Sequence, residues 1–194
     1  MVGKRAAGRA NMAKNKTGTN RNPVHLTVNR PELLSDGSDI VFRQFVHDAL
    51  AFAARLLAVR DGYGKVMGIS GPQYTVLISI AHLGRKGSVT VRNVADHLHL
   101  SGSFVTNETK KLVNQGLLEK QTDQEDRRRV NLEITKAGQK RLQELSSIQS
   151  QVNDVHFGSL RRKQFEDLCK VMPDLVTSTD RALSLLQHLS HEDR

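Results

Sequence analysis

The sequence contains little of what secreted, membrane or disulfide-bonded proteins are built from. Its 194 residues include one cysteine, Cys169, so no internal disulfide can form and a reducing compartment is expected. No run of about 18 apolar residues appears, so no hydrophobic membrane span is predicted. The N-terminus also lacks the apolar core of a secretory signal. These absences favour a protein of a reducing, aqueous compartment.

Motifs for catalysis and for metal binding are missing as well. There is no paired-carboxylate arrangement, no GxSxG sequence, no glycine loop for phosphate and no metal-spaced Cys/His cluster. His97 and His99 are two residues apart, so a helix would point them to different sides. Cys169 follows Leu168 and lies four residues after Phe165, which favours a buried, inert side chain over a redox sensor. No enzyme activity, metal or cofactor is predicted.

Acidic residues are missing from the N-terminal part of the chain. Seven of the 29 Lys and Arg residues precede Glu32, the first acid, and the remaining 22 are nearly balanced by the 20 acids. The net charge of +9 therefore describes mostly residues 1–34, a basic tail that we expect to be disordered. Two interpretations stay open: the tail adds salt-sensitive, non-specific affinity for DNA, or it does nothing.

Apolar spacing predicts two helices after this tail. Residues 38–60 carry an apolar face wider than one neighbouring helix requires, so part of the face is expected to meet a second subunit. The glycine-containing stretch 61–64 is expected to break the chain. Ser70 and Gln73 then fit a capping box with an early proline, which starts a helix that ends at Leu83.

Two short helices follow, separated by a tight turn. The first runs from residue 91 to 98 with Thr90 as its cap, and its apolar residues recur at helical spacing. The second begins after Ser101 and ends at Gly116, with Val105 and Leu112 on its inner stripe. The outward residues, whose side chains can reach base edges and phosphates, are Ser103, Thr106, Asn107 and Lys110.

A basic hairpin is predicted next. Residues 117–121 and 130–134 have strand patterns, and the second alternates apolar and polar in strict period two. Arg127, Arg128 and Arg129 end the loop between them, and three like charges at a hairpin tip favour a polyanionic partner. Helix, turn, helix and basic hairpin together indicate a winged helix, with one helix in the major groove and the hairpin near the minor groove.

Residues 136–190 have the pattern of long helices. Thr135 caps the first, whose apolar residues 145, 148, 152 and 155 alternate spacings of three and four, as in helices packed side by side. A break is expected near Gly158, and Pro173 should kink or interrupt the helix that follows. Such helices outside a DNA-binding module predict a dimerisation layer, and therefore a DNA site that is an inverted repeat.

Two motifs resemble the MarR family of bacterial transcription regulators. One is the wing signature, Leu117-Leu118, then Asp123-x-x-Asp126-Arg127-Arg128, then Leu132-x-Ile134-Thr135-x-x-Gly138. The other is Ile69-Ser70-x-x-Gln73-x-x-Val76-Leu77, which is similar to that family's second helix. The resemblance covers roughly residues 38–188. It implies a mainly α fold with a small β-hairpin wing, in which a winged helix-turn-helix DNA-binding domain (69–135) joins N-terminal (38–60) and C-terminal (136–190) helical dimerisation segments.

The resemblance also assigns roles to individual residues. It implies that Arg128 enters the minor groove and that Asp126 orients it. Thr106 and Asn107 match recognition-helix positions that face bases, and many relatives carry arginine where this chain has Asn107. An amide pairs best with adenine, so adenine is the expected contact. The full set of expected DNA-binding residues is Ser101, Ser103, Thr106, Asn107, Lys110, Lys111, Arg127, Arg128 and Arg129.

The same resemblance implies a small aromatic or phenolic acid as effector, bound between the dimer helices and the winged module. A carboxylate ligand favours an arginine or histidine near an aromatic wall. The candidates are Arg43, His47, Tyr74 and His82, and the alternative is that each is a surface residue or an ordinary hydrogen-bonding partner.

The function predicted from the sequence is that of a dimeric MarR-like repressor, located in a bacterial cytoplasm, bound to double-stranded DNA and released by a small ligand. The competing interpretation is a winged-helix module for protein interaction or non-specific nucleic-acid binding.

Overall fold

The computed structural model describes residues 25–122 and 129–192. Short 3-10 turns lie at Pro31–Leu33 and Gly84–Lys86. The helices and strands are α1 (Ile40–Val66), α2 (Gly71–Leu83), α3 (Val91–Leu98), α4 (Gly102–Asn114), β1 (Leu118–Thr122), β2 (Val130–Ile134), α5 (Lys136–His156) and α6 (Arg162–Glu192). The predicted fold class, mainly helical with a small hairpin, is confirmed. None of the helices in these two ranges is long and apolar enough to cross a membrane.

The chain divides into two compact units, Met1–Ala53 and Ala54–Arg194. In the first unit, Asp39 is buried just before α1 and accepts hydrogen bonds of 2.7 Å from both the amide and the hydroxyl of Thr27. Arg43 lies 3.0 Å from the same carboxylate. Residues 25–34 are thus tied to the start of α1, whereas the tail prediction for residues 1–24 lies outside the described residues.

The predicted break after Arg60 is wrong, because α1 continues to Val66. Tyr63 and Gly64 are buried in the last turns of this helix. A Cβ added at Gly64 would lie 2.8 Å from the Ser70 carbonyl oxygen, so this glycine allows close backbone packing rather than ending the helix.

The second unit has its core around α2, which is buried on nearly all sides. The predicted capping box is confirmed, since the Ser70 hydroxyl and the Gln73 amide exchange hydrogen bonds with each other's backbone N–H. Tyr74, Val76, Leu77 and Ile80 of α2 are at most 2% exposed. Around them lie the other apolar residues that are at most 3% exposed: Val89, Val94, Val105, Leu112, Leu117, Leu118, Leu132 and Leu145.

The hairpin is anchored on two sides. β1 and β2 are antiparallel, with Leu118 opposite Ile134. The backbone N–H of Leu132 in β2 donates a hydrogen bond of 2.7 Å to the Val89 carbonyl, on the segment that leads into α3. The sequence patterns did not predict this link, which joins the wing to the helix-turn-helix.

The C-terminal helices differ from expectation at two residues. A break near Gly158 is confirmed, but α6 continues through Pro173 without interruption. The carbonyl that loses its hydrogen bond there belongs to Cys169, on an exposed helix where water can serve as donor. Cys169 itself is exposed in the single chain. The burial from which an inert side chain was predicted is therefore not observed.

Candidate nucleic-acid interface

Helix α4 is held in one orientation by its inner face. The Ser101 hydroxyl accepts a hydrogen bond of 3.2 Å from the Phe104 amide, which caps the helix as predicted. Val105, Thr109 and Leu112 are fully buried, at 0% exposure. A rotation of α4 about its axis would expose these side chains, so its outer face has a defined direction.

That outer face carries a polar row. Ser103, Thr106, Asn107 and Lys110 are all exposed. The Thr106 hydroxyl donates a hydrogen bond of 2.8 Å to the Gly102 carbonyl, and its oxygen lone pairs can still accept one from another partner. Asn107 and Lys110 make no side-chain hydrogen bond within the part of the chain that the structure describes. The row therefore presents hydroxyls, an amide and an ammonium to the outside.

Two other predicted DNA-binding residues have partners inside the protein. The Ser101 hydroxyl caps α4 and lies 3.1 Å from the Ser103 hydroxyl. The Lys111 ammonium lies 2.7 Å from the Glu108 carboxylate. These contacts give Ser101 and Lys111 a structural role beside the predicted one.

Glu108 is a buried acid that the sequence analysis missed. Glu108 is only 5% exposed, although it belongs to the helix that carries the polar row. Spacing could have revealed it, since Glu108 lies three residues after Val105 and four before Leu112, on the inner stripe. Lys111 is its ion-pair partner, which lessens the cost of the buried charge.

The base of the wing is well anchored. The Thr135 hydroxyl donates a hydrogen bond of 2.7 Å to the Gly116 carbonyl, just after α4, and accepts one of 3.0 Å from the Gly138 amide in α5. Because Thr135 directly follows β2, these bonds join α4, β2 and α5. A Cβ added at Gly138 would overlap the Leu117 carbonyl, so α5 packs tightly here. Arg129 is exposed immediately before β2. Asp126, Arg127 and Arg128 lie outside the described residues.

The ligand candidates lie in different environments. In the first unit, Arg43 pairs with Asp39 and donates to the His25 carbonyl, and His47 is exposed. Hydrogen bonds from Arg43, and then from Thr27, hold the pKa of Asp39 well below its usual range. Arg43 is thus already neutralised by a carboxylate, which weakens its case as a receptor for an acidic ligand.

In the second unit, Tyr74 is buried and its hydroxyl accepts a hydrogen bond of 2.7 Å from the Gln149 side-chain amide. His82 is exposed and its ring stacks on that of His97, with centroids 5.7 Å apart. His99 lies beyond the end of α3 with a left-handed backbone, φ +54°, so the two histidines of the His97-x-His99 pair are not on one helix.

A buried helix-turn-helix with an outward polar row, followed by an anchored hairpin, defines the winged helix-turn-helix class. The sequence model of the MarR family matches residues 67–129, about a third of the chain. A comparison with curated proteins found no match. Over this segment the chain is therefore similar to the MarR family, in agreement with the resemblance of its motifs.

Solved structures with the same fold include a MarR/EmrR family transcriptional regulator from Acinetobacter sp. ADP1. It has 18% identity and a TM-score of 0.62, over 73% of this chain and 98% of that chain. Bordetella bronchiseptica BpsR, with DNA binding regulated by 6-hydroxynicotinic acid, has 18% identity and a TM-score of 0.55, over 67% and 91%. S. aureus MepR in complex with DNA has 19% identity and a TM-score of 0.52, over 77% and 99%.

Substitution of the two serines at the start of α4 should separate a structural role from a surface role. Ser101→Ala removes the helix cap and should lower the free energy of unfolding by about 1 kcal/mol. Ser103→Ala, the control, should change it by less than about 0.5 kcal/mol because that side chain is exposed. Urea unfolding without DNA measures both, and equal effects would contradict the capping role.

Proposed function

We propose that this protein is a dimeric, sequence-specific DNA-binding regulator that acts as a repressor and is released by a small ligand. The observation that carries the proposal is the polar row on α4, whose direction is determined by the buried inner face of the same helix. A helix of this kind fits the major groove of B-DNA, which is about 12 Å wide.

Each side chain of the row has a matching partner on DNA. The Asn107 amide can donate to adenine N7 and accept from adenine N6, so it is the proposed base reader. Ser103 and Thr106 can donate to or accept from base edges or phosphates. Lys110 supplies a positive charge at the side of the row, where a backbone phosphate is the expected partner.

The wing is proposed to add a second contact. Arg127, Arg128 and Arg129 end its loop, and Arg128 is the proposed minor-groove residue with Asp126 as its orienting partner. The anchoring of β2 to the Val89 carbonyl supports this role, because a wing with a fixed base can hold a register on DNA.

Exposed apolar side chains support dimerisation. On α6 they are Phe165, Leu168, Val171, Met172, Leu175, Val176, Leu183, Leu185, Leu186 and Leu189. The part of α1 that belongs to the first unit also exposes apolar side chains, namely Ile40, Val41, Phe45, Val46, Leu50 and Phe52. Apolar surface of this extent is rare on a soluble monomer and marks an interface. A two-fold dimer would place two copies of α4 about one duplex turn apart.

A small effector is proposed to act on the dimer. Regulation of DNA binding by 6-hydroxynicotinic acid concerns BpsR itself, and it makes an aromatic acid a reasonable ligand class to test here. A ligand that prefers one spacing of the two α4 helices would shift the population away from the DNA-binding state. Arg43, His47, Tyr74 and His82 stay the proposed ligand residues, with the Asp39 ion pair of Arg43 counting against that residue.

Asn107→Ala tests the recognition helix. Loss of the amide should weaken binding to the preferred site by about 1–3 kcal/mol and relax the preference at one base pair per half-site. Asn114→Ala, an exposed amide at the far end of the same helix, is the matched control. Fluorescence anisotropy with specific and unrelated duplexes measures both. A uniform loss on every duplex would show that Asn107 does not read sequence.

Leu186→Glu tests the dimer. Leu186 is 63% exposed on α6. A carboxylate there should shift the protein from dimer to monomer, as measured by sedimentation velocity, because burying an unpaired charge in the interface is costly. Gln187→Glu introduces the same charge at the next residue and should leave the dimer intact. The proposal fails if the unaltered protein sediments as a monomer, or if Leu186→Glu stays a dimer.

A further inference from the structure

Helix α4 exposes a large apolar side chain near its start. Among the residues of α4, all of which the structure describes, Phe104 is the one large apolar residue that is exposed, at 37%. Val105 and Leu112 belong to the apolar core, and Val113 packs against it. The core thus explains the other apolar residues of the helix, whereas Phe104 leaves more than a third of its surface to solvent.

The position of Phe104 on the helix is well defined. Its amide donates a hydrogen bond of 3.2 Å to the Ser101 hydroxyl, which places it in the first turn of α4. Residues three, four and seven apart share one side of a helix, and Phe104 lies three residues before Asn107 and seven before Lys111. Around the helix axis, Phe104 is about 60° from Asn107. Phe104 therefore borders the polar row.

The spacing along the helix relates Phe104 to Asn107 on DNA. Three residues of α-helix advance by about 4.5 Å. Successive base pairs of B-DNA are about 3.4 Å apart. If α4 lies in the major groove, the two side chains thus reach positions about one base-pair step from each other.

The major groove offers an apolar group that suits a phenyl ring. Among the base edges there, the 5-methyl group of thymine is the apolar feature, and the remaining groups are hydrogen-bond donors and acceptors. A phenyl ring cannot form conventional hydrogen bonds with those donors and acceptors. Contact with a thymine methyl would instead remove apolar surface of both groups from water, which is favourable.

We propose that Phe104 is a specificity-determining residue whose ring contacts the 5-methyl group of a thymine, about one base-pair step from the adenine assigned to Asn107. The inference rests on the proposed function and deepens it, because it names a second base in each half-site. Phe104 would select thymine over cytosine and uracil, both of which lack the methyl group.

The size of the effect follows from the surface that one methyl group buries. Burying one CH₂-sized group corresponds to about fourfold in affinity. A dimer on an inverted repeat makes the contact twice, so loss of both methyl groups should weaken binding by about 15-fold when the two half-sites contribute independently.

Two parallel selections with the full-length protein test the proposal. Both use the same random duplex library, synthesised once with thymine and once with uracil in its place. The thymine library should enrich sites with a thymine about one step from the adenine. The uracil library should lose the preference at that position and keep the preference for adenine. Fluorescence anisotropy then compares the selected duplex with a copy that carries uracil at that position alone.

Substitutions assign the methyl contact to Phe104. Phe104→Ala should bind the thymine and uracil duplexes with equal affinity, and Phe104→Leu should retain part of the difference. Leu100→Ala is the matched control, because it removes a side chain that is 39% exposed just before the Ser101 cap. It should retain the full difference. A merely structural role of Phe104 would lower both affinities and leave their ratio unchanged.

Several results would overturn the inference. Equal affinity of the unaltered protein for the thymine and uracil duplexes would do so. A ratio that Phe104→Ala leaves unchanged would show that another side chain, such as one on the wing, senses the methyl group. A selected site that depends on Asn107 but not on the thymine methyl would overturn this inference alone. Absence of any selected site would also overturn the proposed function. If Phe104→Ala does not fold, Phe104→Leu must still show a reduced ratio.

Discussion

Burial of the inner face of α4 against α2 is the constraint on which the rest of this structure depends. Val105, Thr109 and Leu112 are fully buried, and each buried Val or Leu side chain stabilises the fold by about 1.5–3 kcal/mol. That burial determines which residues α4 turns outward, and Ser101 determines where the helix begins. Glu108 is the one acid on this inner face, and its pairing with Lys111 connects the buried side of the helix to the exposed one.

The same core also directs the wing. Leu117, Leu118 and Leu132 are buried in it, and the Leu132 amide is hydrogen-bonded to the Val89 carbonyl just before α3. Helix α4 and the hairpin thus share one support, so a shift of α3 or α2 would move both. The stacked rings of His82 and His97 lie on these supporting elements, with His82 on α2 and His97 on α3.

Sequence patterns predicted the elements that local chemistry determines. The capping residues Ser70, Thr90, Ser101 and Thr135 located four helix starts, and strict alternation located β2. The misses depend on tertiary contacts. Gly64 looked like a helix breaker, but it is a close-packing site that only the approach of Ser70 explains. The stacking of His82 on His97 also escaped prediction, because the two rings come from separate helices that the fold brings together.

The outward row of α4 is proposed to read DNA sequence as part of a dimer. Selection of bound fragments from random DNA, with the full-length protein at near-physiological salt, tests it most directly. Enrichment of an inverted repeat with half-sites about ten base pairs apart is the expected result. If no sequence were enriched and binding only weakened as salt increased, the domain would act as a charged surface, and the account of a sequence-specific regulator would be contradicted.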